Sequence, residues 1–211
     1  AGNNGKRFFM HIMTTSNHRP FTYPDGRIDI PSPGGREGAV KYTDFAIGQF
    51  IDQARRHPWF DDTLFVIVAD HCASVAGKTE LPVAKYRIPL IFYGPEIVKP
   101  GHITRLISQI DLPPTLFDVL GMEGDDHFFG SAVSEQEEFG ERAFISNYQS
   151  LGYYKQDVLT VLKPKHKIES FKIDPQTLEA TPMPVNETLR DEAIAYYQTA
   201  SSAFKYRKLL A

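Results

Sequence analysis

The chain has 211 residues, with 23 Lys and Arg against 26 Asp and Glu (net −3), 42% hydrophobic and 23% charged side chains. This is a globular composition sufficient for one large domain, or a main domain with an appendage, and it excludes collagen-like and intrinsically disordered chains. There is no broad basic face for nucleic acid, no apolar run long enough to cross a bilayer, and a single cysteine, so no intrachain disulfide.

Ala1 to Arg7 is polar and basic, lacks the features of a signal peptide, and leads straight into Phe8–Thr14, a short aromatic-rich run that reads as a buried strand. Thr15 to Arg36 is dense in Ser, Asn, His, Pro, Gly and Asp. A loop of that length inside a compact domain is usually functional. From Glu37 to Arg56 the apolar residues Val40, Phe45, Ile47, Phe50, Ile51 and Ala54 fall near a 3.6-residue period and predict a helix. His57-Pro58 ends it. Thr63–Ala69 is continuous and apolar, the pattern of a strand buried on both faces of a parallel sheet. Asp70-His71-Cys72 follows, then a loop over 73–85 and a second buried strand over Ile88–Tyr93.

Asp111 reads as the N-cap of a helix that Gly121 stops, with Pro113 in its first turn. After Glu141 the character changes. Ala143–Asn147, Asp157–Leu162 and Lys167–Ile173 read as an antiparallel meander, and Thr188–Leu210 as an amphipathic helix. The expected fold class is therefore α/β: a three-layer sheet region over residues 1–141 and a small antiparallel β subdomain with a C-terminal helix over 142–211.

Two positions could carry chemistry. Asp70 and His71 stand at the carboxyl end of a strand, where ligands bind in open α/β sheets. A carboxylate beside an imidazole can hold one divalent cation, Zn²⁺ or Mn²⁺ rather than Ca²⁺. Equally, Asp70 could cap the next segment and His71 be an ordinary loop histidine. The second position is Asn17-His18-Arg19 after the first strand, with donors suited to a phosphate or sulfate oxygen, or simply a polar turn. For the remaining residues the expectation is structural: His11 in a core or interface, His57, His102, His127 and His166 solvated, Trp59 and Phe60 in the core, the Tyr153-Tyr154 and Tyr196-Tyr197 pairs in packing. Lys78 reads as a solvated loop lysine, and Lys163-Pro164-Lys165-His166-Lys167 as a solvated hairpin tip.

Tyr42-Thr43-Asp44, Trp59 through His71, Arg87 through Pro95 and Ser108 through Leu116 occur in an order and spacing that closely resemble the alkaline phosphatase/sulfatase superfamily, and within it the lipoteichoic acid synthase-like phosphoglycerol transferases. The likeness runs over roughly Lys6 to Gly130. It implies that Asp70 and His71 ligate the catalytic metal, commonly Mn²⁺, with Zn²⁺, Mg²⁺ or Ca²⁺ as alternatives. It also implies that His18, in Ser16-Asn17-His18-Arg19-Pro20-Phe21, binds the substrate. Arg19 replaces a residue that is often apolar there, and Cys72 stands where glycine or tyrosine is more usual.

No catalytic nucleophile is expected within the chain. The family's threonine, or the formylglycine of true sulfatases, would lie upstream, as would a metal-binding glutamate. Cys72 has no match to the sulfatase nucleophile pattern and reads as structural. The resemblance thus implies the C-terminal part of a catalytic domain that acts on phosphoglycerol-type lipid or glycan headgroups and is inactive alone. Its parent would be membrane-anchored through a segment absent here and face the periplasm or the exterior. A sulfatase or phosphatase of the same superfamily is the alternative enzyme, and a non-catalytic headgroup-binding domain the alternative outside enzymes. An incomplete sheet would leave an exposed edge able to pair in a dimer.

Overall fold

The computed structural model describes residues 6–73, 81–124, 127–135 and 140–208. The chain is mixed α/β and divides into two units, Ala1–Leu64 with Gly94–Ile97, and Phe65–Tyr93 with Val98–Ala211.

In the first unit the predicted helix is α1, Gly35–Ala54. It packs on the loop before it through Tyr23, which is buried and stacks on Tyr42 with ring centroids 5.2 Å apart. The Tyr23 hydroxyl donates toward the carbonyls of Ile30 and Pro31, both at 3.2 Å. Gly38 permits this approach, because a Cβ there would run into the Tyr23 hydroxyl. Trp59 is half-buried between His57, stacked at 5.3 Å, and Phe8, edge-on at 5.8 Å, and Phe60 is buried.

The strand expected over Phe8–Thr14 is absent, and Phe9 and Met13 are 89% and 78% exposed. A strand exists only as a pair, and no described strand runs beside this one. His11, expected in a core or interface, is exposed with it.

The second unit opens with β1, Phe65–Val68, and β2, Leu90–Tyr93. They pair antiparallel, Phe65 opposite Tyr93 and Val68 opposite Leu90, and are half-exposed. This corrects the parallel, doubly buried reading. A parallel pair needs a long crossover, usually a helix, whereas the described part of the connection holds only a short 3-10 turn, Val83–Tyr86.

Helix α2, Leu112–Val119, precedes a five-stranded antiparallel meander: β3, Ala143–Ser146; β4, Leu151–Lys155; β5, Val158–Lys163; β6, Lys167–Ile173; β7, Ala180–Met183. Helix α3, Glu187–Lys205, starts at Asn186, whose side chain accepts from Leu189 N–H at 3.1 Å.

The meander is covered on both faces. Tyr153 and Val158 pack with Leu189 and Ala193 of α3, while Tyr154, Leu159, Val161 and Ile173 pack with Leu81, Val83 and Ile145. Adjacent Tyr153 and Tyr154 therefore serve opposite faces, as strand alternation requires. The central strand β5 is buried at four consecutive residues, Val158–Val161, because both faces are dry. Gly152 is demanded by packing: a Cβ would come 2.8 Å from Ile145 Cγ1 and 2.9 Å from Leu81 Cδ1.

Candidate metal centre

Strand β1 delivers Asp70 two residues past its end. The Asp70 carboxylate accepts the backbone N–H of His71 through Oδ1 at 2.9 Å, and its Oδ2 stands 3.5 Å from His71 Nε2. His71 Nδ1 lies 2.9 Å from the carbonyl of Cys72. A carbonyl oxygen can only accept, so Nδ1 carries a proton, and in the neutral ring Nε2 presents its lone pair beside Asp70 Oδ2. Metal-bound histidines are oriented in this way, by a hydrogen bond from the second ring nitrogen.

The separation also suits shared ligation. Two donors, each about 2.1 Å from one ion and at tetrahedral or octahedral angles, stand roughly 3.0–3.4 Å apart. Both side chains are open to solvent, 73% for His71 and 86% for Asp70, so further ligands and a substrate could reach them. The pair fits half of a divalent-metal shell. Among the described residues no group of three or more His, Cys, Asp or Glu converges on one point.

The turn is held from outside by Gln109, whose Nε2 donates to the carbonyls of Ala69 at 3.2 Å and Asp70 at 2.9 Å. Gln109 opens the 3-10 turn Gln109–Asp111. Asp111 was read as a helix N-cap. It occupies that position before α2, but its side chain makes no bond to the helix's own N–H groups. It is fully buried and pairs with Arg142 as a two-pronged fork, Nη1 to Oδ2 at 3.0 Å and Nη2 to Oδ1 at 2.9 Å. The carboxylate also accepts from Ser108 N–H at 2.8 Å and Ser131 N–H at 3.0 Å. The Arg142 guanidinium lies over the rings of Phe144 and Tyr196. Burial alone would push its pKa down, but Asp111 and Tyr196 more than offset that and hold it above the usual arginine value.

Cys72, the third residue of the turn, is half-buried, and burial pushes its thiol pKa up. A raised thiol is a poor nucleophile. His18 sits in an exposed turn of the first unit, with Nδ1 2.9 Å from the carbonyl of Arg19. His57, His102, His127 and His166 are exposed. Lys78 lies outside the described residues. No described helix is long and apolar enough to cross a membrane.

The fold is that of the alkaline phosphatase superfamily. A solved member from Vibrio parahaemolyticus superposes on 94% of the chain with a TM-score of 0.84 and 33% identity, and the chain covers 49% of it. The Sulfatase family model matches residues 1–122; the chain belongs to that family. Among characterised relatives, lipoteichoic acid synthase 2 of Bacillus subtilis is 26% identical over 152 residues, 62% of this chain. Phosphoglycerol transferase I of Escherichia coli is 25% identical over 186 residues, 82% of this chain. The chain spans 23% of the length of each of these two. The structure of Ps i-CgsB shares the fold alone, at TM-score 0.59 and 16% identity, with 88% of this chain and 47% of that one covered.

Proposed function

We propose that the chain forms part of the catalytic domain of a metal-dependent phosphoglycerol transferase or phosphodiester hydrolase acting on lipid or glycan headgroups. The observation that carries this reading is the Asp70–His71 turn, with Oδ2 and Nε2 3.5 Å apart and the ring tautomer set by Cys72 O. The likeness to lipoteichoic acid synthase 2 and phosphoglycerol transferase I supports the headgroup class.

In this reading residues 1–141 contribute to the catalytic core and 142–211 form its β subdomain. Asp70 and His71 hold a divalent ion, Mn²⁺ before Zn²⁺, Mg²⁺ or Ca²⁺. When bound, the ion supplies positive charge for the attacking oxygen and the phosphoryl group. His18 meets the substrate. Its Nδ1–H is taken by Arg19 O, so neutral Nε2 accepts from a glycerol hydroxyl, and once protonated donates to a phosphate oxygen or leaving group. The threonine nucleophile and the remaining ligands come from residues outside this chain, so the 211 residues alone are inactive. The parent protein works at the periplasmic or extracellular face of the cytoplasmic membrane, held there by a segment outside this chain. The outer edges of the β1–β2 pair are places where a second copy could dock.

The test is release of glycerol phosphate from phosphatidylglycerol by the full-length protein with Mn²⁺. Asp70→Ala and His71→Ala should each lower turnover by more than about 100-fold, the upper end of what losing even an outer-shell partner costs. His18→Ala should reduce it as well. Unchanged turnover in the Asp70 and His71 variants would overturn the reading. Because the matching family model is Sulfatase, an aryl sulfate is the second substrate, and turnover of that ester alone would transfer the assignment to sulfate chemistry. Absence of both turnover and Mn²⁺ binding would point to a non-catalytic headgroup-binding domain.

A further inference from the structure

We propose that Gln109 is the positioning residue of the Asp70–His71 pair: its amide, set across the carbonyls of Ala69 and Asp70, fixes the turn that presents Asp70 Oδ2 and His71 Nε2 to a divalent cation. The proposal rests on the metal reading above.

Both contacts are to carbonyl oxygens, which only accept, so the amide has one possible orientation, with Nε2 toward the turn. One NH₂ group supplies both protons. Among the described residues, Ala69 N–H also reaches Pro89 O at 3.3 Å, and Asp70, His71 and Cys72 hydrogen-bond among themselves. Gln109 itself is held firmly. Its neighbour Ser108 accepts the Phe144 N–H of β3 at 3.2 Å, and two residues on, Asp111 is forked to Arg142. The amide therefore ties an exposed turn to the buried Asp111–Arg142 ion pair, and its two bonds span 39 and 40 residues of sequence.

Gln109 and Asp70 are both exposed. Water can replace the amide at those carbonyls, so losing it should cost little stability. What changes is the direction of the Asp70 carboxylate and the partner of His71 Nδ1. A merely structural residue would move the melting temperature. A positioning residue moves the His71 ring.

The experiment is ¹H–¹⁵N NMR of the histidine rings of the ¹⁵N-labelled full-length protein, with His71 assigned by His71→Asn. The metal-free spectra give the tautomer, and a MnCl₂ titration gives the midpoint of paramagnetic broadening at His71. The wild type should show the Nδ1–H tautomer. Gln109→Ala and Gln109→Glu, which remove both donors, should mix the tautomers and raise the Mn²⁺ midpoint about tenfold, with melting temperatures unchanged. Gln109→Lys, which restores donors of similar reach, should recover the metal-free tautomer. Wild-type tautomer and midpoint in Gln109→Ala and Gln109→Glu would overturn the proposal while leaving the metal reading intact. A wild type whose His71 ignores Mn²⁺, with tautomers that still follow Gln109, would overturn the metal reading alone and leave the control of the turn standing. Should Gln109→Ala lose the fold, Gln109→Asn carries the same test, since its amide is one methylene short of both carbonyls.

Discussion

Replacing Arg142 by methionine removes the one cation that faces Asp111 among the described residues and keeps the apolar length of the side chain. In the wild type the two side chains are 2% and 0% exposed, and four donors converge on the carboxylate. The variant strands a buried carboxylate on two backbone N–H groups. Breaking a buried pair from one side costs about 3–5 kcal/mol, a large share of the roughly 5–15 kcal/mol that holds a domain together. The double variant Arg142→Met/Asp111→Leu removes the charge altogether. It should recover part of the loss, but it orphans Ser108 N–H and Ser131 N–H at about 1–3 kcal/mol each. The assay is urea unfolding followed by near-ultraviolet circular dichroism of Tyr153, Tyr154, Tyr196 and Tyr197, all in the second unit. Trp59 fluorescence reports the first unit separately, which is needed where two units can unfold apart. A loss below about 1 kcal/mol in Arg142→Met would refute the reasoning, since it would mean that water reaches the pair.

The other expectations are smaller. Thr160 is fully buried and its hydroxyl has no partner among the described residues; Thr160→Val keeps the β-branched shape and should stabilise the second unit by about 1 kcal/mol, read from the urea midpoint. Gly152→Ala drives a methyl into Ile145 and Leu81 and should cost about 1–3 kcal/mol by the same assay. Burial pushes the Tyr197 phenol up to about 12. A raised acid stabilises the fold below its unfolded value, near 10, and that contribution is lost as pH rises from about 10 toward 12; Tyr197→Phe should flatten the fall in melting temperature over that window. Lys163 and Lys167 hold the Glu169 carboxyl below the usual carboxylate range. Its contribution is therefore present above about pH 4.5 and lost as pH falls below it, and Glu169→Gln should remove that part of the acid-side slope.

How much could be read in advance follows from range along the chain. Asp70 and His71 are neighbours on one turn, so their types and their place after an apolar strand were enough to single them out. Helix α1 was legible from its apolar period, and the meander from the strand-like runs Ala143–Asn147, Asp157–Leu162 and Lys167–Ile173. Strand β4 was missed because its two tyrosines read as packing residues, and β7 because Pro182 argues against a strand except at an edge, where β7 lies. The direction of β2 was misread because apolar content reports burial and says nothing of polarity. Arg142 carried no local signal, its partner being 31 residues away. The one available hint was Asp111 itself, an acid among apolar neighbours that burial would penalise without a cation.

The same contrast explains how an exposed site can be built accurately. In the proposed metal reading Asp70 and His71 face solvent to take a cation and a substrate, so the hydrophobic core does not hold them directly. Strand β1 fixes only the residue before the turn, and its half-exposed pairing with β2 is a modest anchor. The stiffness comes instead through polar contacts that begin in a dry place. Arg142 and Asp111 are rigid because a buried fork has few alternative geometries. Ser108 and Gln109 inherit that rigidity over one short turn, and two hydrogen bonds pass it to the carbonyls beside the ligands. A cation site of the proposed design would be sensitive to substitutions far from the metal, and Arg142→Met should loosen the His71 ring even though Arg142 touches neither Asp70 nor His71.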